Sequence, residues 1–70
     1  MIGRRVTRRM LKGLSECHFS TLEGRPYVRM PKTMEALESD GFVRKSDIHE
    51  GKQAYVPTPD GDRILGRTRA

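Results

Sequence analysis

The chain has no tryptophan, one cysteine, and aromatic residues at only 6% of its 70 positions. The single thiol, Cys17, cannot close a disulfide within the chain, so a cross-linked secreted scaffold is excluded and a reducing, cytoplasmic setting is expected. No apolar run reaches the length of a signal-peptide core or of a membrane span, which points away from secretion by that route and from membrane insertion. Hydrophobic residues make up 34% and charged residues 33%, so the core must be assembled from few groups. One domain over residues 1–70 is expected, with Leu11, Leu14, Leu37, Phe42, Val43, Val56, Ile64 and Leu65 as its interior. A domain this small is marginal alone, and a homodimer would add burial.

Enzyme chemistry has little foothold. Cys17 and His18 are adjacent, but sequence neighbours on a helix point about 100° apart, whereas a nucleophile and its base must face each other. A buried cysteine is the expectation. His49 sits beside a turn, and one cysteine with two histidines and no matching acidic cluster does not make a zinc set. Asp60-Gly61-Asp62 has the look of a calcium-loop fragment but lacks the remaining ligands, and reads better as favourable negative charge at a helix start. No catalytic residue, metal or cofactor is expected. Tyr27 and Tyr55 have two readings, stacking on bases or packing against the core, of which packing is the commoner.

The informative stretch is Thr33 to Leu65. Met34 and Leu37 lie three apart on one helical face, and Gly41 stands where a helix bends into the left-handed conformation that a residue without Cβ adopts most easily. The helix should therefore stop at about Asp40. Phe42 and Val43 open a strand, Glu50-Gly51 supplies a turn, and Gln53 to Val56 returns with residues suited to a pleated surface. Thr58 can then cap another helix with Pro59 in its first position, where a missing N–H costs nothing.

Upstream, Thr7 is a good N-cap, with Val6 before it and Leu11 at the fourth helical position, the spacing of a hydrophobic staple. Leu11, Leu14 and Cys17 or His18 form the inward stripe. Gly13 costs this helix about 1 kcal/mol against alanine, which either close packing or an exposed position would explain. Phe19 to Met30 shows no helical spacing of apolar residues, and Glu23-Gly24 between two short stretches predicts a short hairpin. Residues before Val6 and the arginine-rich tail from Arg67 to Ala70 are expected to be mobile.

The order of helix, hairpin and Thr-Pro-x-Gly step resembles the C-terminal half of a MarR-like winged-helix domain. Leu37, Gly41, Phe42 and Val43 match the end of that family's recognition helix. Thr58, Pro59 and Gly61 match the step after the wing, and Ile64 and Leu65 match the apolar pair that docks back. The resemblance covers about half the chain. It implies an α+β fold, a small winged helix made of helix, short hairpin, helix, β-hairpin wing and short C-terminal helix. The family's usual second helix has no counterpart in this reading. The resemblance also implies a non-catalytic nucleic-acid-binding protein, a transcriptional regulator of bacterial or phage type.

Charge both supports and complicates that expectation. A net charge of +5 and a pI near 10.0 favour a polyanion, since counterions released from duplex DNA drive association. A basic balance also arises for solubility or for an acidic protein target. Arg4, Arg5, Arg8, Arg9 and Lys12 form a phosphate-contacting edge at helical spacing. Arg44, Lys45 and Lys52 would extend it onto the wing. Between them, however, residues 31–50 carry Glu35, Glu38, Asp40, Asp47 and Glu50 against Lys32, Arg44 and Lys45. The outward positions of the helix are expected to be Lys32, Thr33, Glu35, Ala36, Ser39 and Asp40, and carboxylates repel phosphates. Two partners follow. Either duplex DNA is held by the basic edge, the wing and the first-turn residues Lys32 and Thr33, or Glu35, Glu38 and Asp40 meet a host protein or ribonucleoprotein complex. The second case is that of a phage-encoded inhibitor of a host defence system, of the anti-CRISPR kind.

Overall fold

The computed structural model describes residues 6–69, with side chains to residue 66. Its elements run α1 (Arg8–Leu22), α2 (Pro31–Ser39), β1 (Val43–His49), β2 (Lys52–Pro57) and α3 (Pro59–Arg69). Helix α1 starts where the sequence places it, with the Thr7 hydroxyl accepting the Met10 N–H at 3.1 Å. Its end differs from expectation. Phe19 to Leu22 are the last turn of α1, not the first strand of a hairpin, and Gly24, at φ +74, is a helix terminator.

The Arg25 N–H reaches Ser20 O at 2.9 Å and the Gly24 N–H reaches Thr21 O at 3.0 Å. This is the paired closure that a left-handed glycine gives to a helix end. Thr21, which suggested a strand, is accommodated because its hydroxyl donates to Cys17 O one turn back at 2.9 Å. The expected hairpin does not form; Tyr27 instead makes a single antiparallel bridge to Tyr55 of β2, with the Tyr55 N–H donating to Tyr27 O at 3.1 Å.

Helix α2 ends by the same closure. Phe42 N–H bonds Leu37 O at 2.9 Å, Gly41 N–H bonds Glu38 O at 3.0 Å, and Gly41 has φ +85. The expected stop at Asp40 is the observed cap. Strands β1 and β2 pair antiparallel through the two-residue loop Glu50-Gly51. Both loop residues have positive φ, +52 and +79, the mirror-image turn whose twist matches that of the strands. The register slips between Lys45 and Ile48, so that Ser46 and Asp47 together oppose Ala54. The Gln53 amide pins this bulge by donating to Ser46 O at 2.7 Å and Ala54 O at 2.8 Å.

The core lies where α1, α2 and the base of the hairpin meet. It contains Leu14, Cys17, Tyr27, Met34, Leu37, Val43, Tyr55 and Leu65, with Met10, Phe42 and Ile64 packed against it. Leu11 and Val56, expected inside, are only half-buried, and both tyrosines take interior places that the sequence left undecided. Each ring removes on the order of 150 Å² from water, which offsets the scarcity of aliphatic residues. Helix α3 continues through Arg69, so residues 67–69 of the expected tail are helical. Among the described residues no helix is long and apolar enough to cross a membrane.

Two glycines set the distances between elements. Gly13 is buried where α1 crosses α2, and a Cβ there would stand 3.0 Å from Thr33 Cγ2 and 3.1 Å from Met34 Cε. Close packing is therefore the reason for this glycine. Gly61, in the first turn of α3, is pressed against the Phe42 carbonyl so closely that a Cβ would overlap it. Thr58 completes the joint: its N–H bonds Phe42 O at 3.0 Å, its hydroxyl donates to Gly41 O at 2.6 Å and accepts the Gly61 N–H at 3.2 Å. The Thr-Pro-x-Gly step is thus a clamp that fixes α3 to the end of α2. Replacing Gly61 with alanine should destabilise the protein by about 2 kcal/mol. Gly66→Ala, on an open face of α3, should instead stabilise it by about 0.5–1 kcal/mol. Thermal melts of both variants check the pair; equal melting temperatures would refute the clamp.

Candidate functional site

The basic residues of α1 and the first turn of α2 come together in space. Arg8, Arg9 and Lys12 form one wall of an open groove of about 640 Å³, and Met30, Pro31, Lys32 and Thr33 form the other. All four cations are exposed, and among the described residues none is paired with a carboxylate. The groove opens at the N-terminus of α2. There Met30 has a left-handed backbone (φ 52, ψ 56) and supplies no side-chain cap, and Pro31 has no N–H to offer. The N–H groups of Lys32 and Thr33, which belong to the unsatisfied first turn of a helix, border the groove. Four positive charges at the positive end of a helix dipole favour an anion. Thr33 is half-buried by its contact near Gly13 rather than fully outward.

A second groove lies on the far side of Pro31, between α2 and the returning strand. It is lined by Val28, Pro31, Glu35, Lys52, Gln53 and Tyr55. Pro31 borders both grooves, so the N-terminus of α2 is flanked by α1 on one side and by Lys52 on the other. The remaining hairpin cations separate. Lys45 pairs with Tyr55 and Arg44 with Val56, and successive strand residues point to opposite faces, so the two project from opposite sides of the hairpin. Arg4 and Arg5 lie outside the described residues.

The acidic residues of α2 are also sorted. Glu35 is exposed, while Glu38 and Asp40 are half-buried. The exposed side chains of the helix beyond Pro31 are Lys32, Glu35, Ala36 and Ser39. That is one stripe at i, i+3, i+4 and i+7. Met30, Pro31 and Gln53 border the grooves and were not singled out from sequence. The Met-Pro pair carried the signal, since proline favours a first helical position and disfavours a right-handed helical conformation in the residue before it.

Other candidates resolve into structural roles. His18 Nδ1 lies 3.1 Å from Asp62 Oδ1, tying α1 to α3, and Asp60 pairs with Arg63 at 3.0 Å. The Tyr27 hydroxyl donates to Glu16 Oε1 at 2.8 Å. Burial, and then that bond to Glu16, raise the phenol's pKa. Both tyrosines are inside, so neither offers a stacking face. Cys17 is fully buried and its thiol donates to Tyr55 O at 3.2 Å. Comparison with protein-family models, with curated proteins and with solved structures finds no match for the chain. Its class rests on its architecture, a small α+β protein of helices and a two-stranded antiparallel hairpin.

Burial pushes the Cys17 thiol from 9.0 up to about 11, against a smaller lowering by Thr21. An acid whose folded value lies above its unfolded one contributes stability that is complete below the unfolded value and is lost as pH rises through the folded one. Melting temperature should therefore decline between pH 9.0 and about 11, with Tyr27 acting in the same direction. Iodoacetamide at about pH 8 should alkylate the thiol only after denaturation. Equal rates in native and urea-unfolded protein would contradict this burial.

Proposed function

We propose that the chain is a reduced winged helix that binds duplex DNA without catalysis, as a small cytoplasmic regulator of bacterial or phage type. In this reading α2 is the recognition helix, β1 and β2 are the wing, and Tyr27 is the remnant of a strand that pairs with the wing. The family's second helix is missing between α1 and α2. The observation that carries the reading is the groove of unpaired cations at the N-terminus of α2. Its charge suits phosphates, and Lys52 on the other side of Pro31 extends the basic surface toward the wing.

A second reading has the fold serve as a scaffold whose exposed Glu35 meets a basic surface on a host protein or ribonucleoprotein complex. It is favoured by that carboxylate and by the exposed apolar side chains Phe19, Leu22 and Ile48. Salt dependence separates the two. With duplex DNA, the parent should give a linear fall of log K with log salt. Arg8→Ala with Lys12→Ala should make the slope shallower by about 0.9 for each phosphate that is no longer neutralised. The triple change Arg44→Ala, Lys45→Ala, Lys52→Ala should reduce it by less than the full value for three phosphates, because Arg44 and Lys45 project to opposite faces. An absence of duplex binding at about 50 mM salt would overturn the DNA reading and favour the protein-binding one.

A further inference from the structure

Beyond Lys32, which also lines the four-cation groove, the exposed stripe of α2 has a chemistry that phosphate binding does not use. Lys32, Glu35, Ala36 and Ser39 share one face of a nine-residue helix, and all four are exposed. Such a helix is about 10–12 Å across with its side chains, and the major groove, about 12 Å wide, admits it. The cations that would hold the backbone lie to either side of this stripe: Arg8, Arg9 and Lys12 across the first groove, Lys52 across the second. Glu35 is absent from the four-cation groove. It borders the other one together with Lys52, where a single cation offsets its charge. Among the described residues it has no hydrogen-bond or ion-pair partner that would hold it back.

An ionised carboxylate can only accept hydrogen bonds. On the floor of the major groove, guanine presents the acceptors N7 and O6, thymine presents the acceptor O4, and adenine sets its amino donor beside the acceptor N7. Cytosine alone offers an N4 amino group with no acceptor of its own beside it. A lysine on the same face prefers the guanine acceptors. Residues three apart on a helix stand about 5–6 Å apart at Cβ, a reach of one to two base steps at about 3.4 Å per step.

Resting on the DNA-binding reading, we propose that Glu35 selects a cytosine in the major groove and Lys32 a guanine one or two base pairs away. The acidic residue on the recognition helix is then a reader of sequence and not a defect in a phosphate-binding surface. The test is selection of binding sites from a randomised duplex library, run in parallel with the parent and with Glu35→Gln. The change is nearly isosteric at an exposed position, and an unaltered melting temperature confirms that folding is intact.

Sites enriched by the parent should hold one position fixed as cytosine, preferred about tenfold over other bases. With Glu35→Gln that position should lose cytosine in favour of adenine, whose N6 and N7 suit an amide, while the neighbouring guanine persists. Cytosine retained by the variant would overturn the proposal, as would a parent that enriches duplexes with no fixed position, and both leave DNA binding standing. Failure of the parent and the variant alike to enrich any duplex over the input would overturn the DNA-binding reading itself.

Discussion

The backbone of Tyr55 joins the hairpin to the helices, and the placement of both grooves depends on it. Its N–H is taken by Tyr27 O and its carbonyl by the Cys17 thiol. These groups lie on the edge of β2 away from β1, where a third strand would ordinarily supply partners. One residue of extended chain and one thiol on α1 take that role instead. Leaving either group buried and unpaired would cost about 1–3 kcal/mol, a large share of the stability of so small a domain. Satisfying both from different elements brings Tyr27, α1 and β2 to a common point. Tyr55 then belongs to the same buried core as Leu14 and Leu37.

The two clamps built on glycine act on the remaining degrees of freedom. Gly13 lets α1 lie against Thr33 and Met34, which brings the Arg8, Arg9 and Lys12 wall close to the start of α2. Gly61 lets α3 press on the carbonyl at the far end of α2. Helix α2 is thereby held at both ends by packing that a methyl group would disrupt. Its exposed stripe is presented on an element fixed at both of its ends.

Much of this was visible in the chain itself. The Thr7 cap, the Gly41 stop, the Glu50-Gly51 turn and the Thr58-Pro59 start each rest on a local conformational rule, and each stands where it was expected. The segment from Phe19 to Met30 did not yield to such rules. Glu23-Gly24 and Glu50-Gly51 are the same dipeptide, yet the first ends a helix and the second turns a hairpin. The two differ in the backbone of the glutamate, with φ −84 at Glu23 and +52 at Glu50. What selects it is the tertiary demand that Cys17 and Tyr27 both reach Tyr55, and that demand leaves no mark on nearby residues. Of the candidate site, the cations and the acidic residues were all named from sequence. Their partition into a four-cation groove, a mixed groove and one exposed stripe was not, because it depends on how α1 crosses α2 at Gly13.

The bulge in β1 bears on how the molecule behaves among copies of itself. The outer edge of β1 is covered by no other strand among the described residues, and a seven-residue edge is long enough to recruit a strand from a neighbouring molecule. Ser46 and Asp47 break its regular spacing, and Lys45 and Asp47 set opposite charges along it. A continuous intermolecular ladder cannot form across such a break. The same irregularity that shapes the hairpin thus disfavours pairing of its free edge with a neighbouring molecule, one of the ways in which exposed strands are protected.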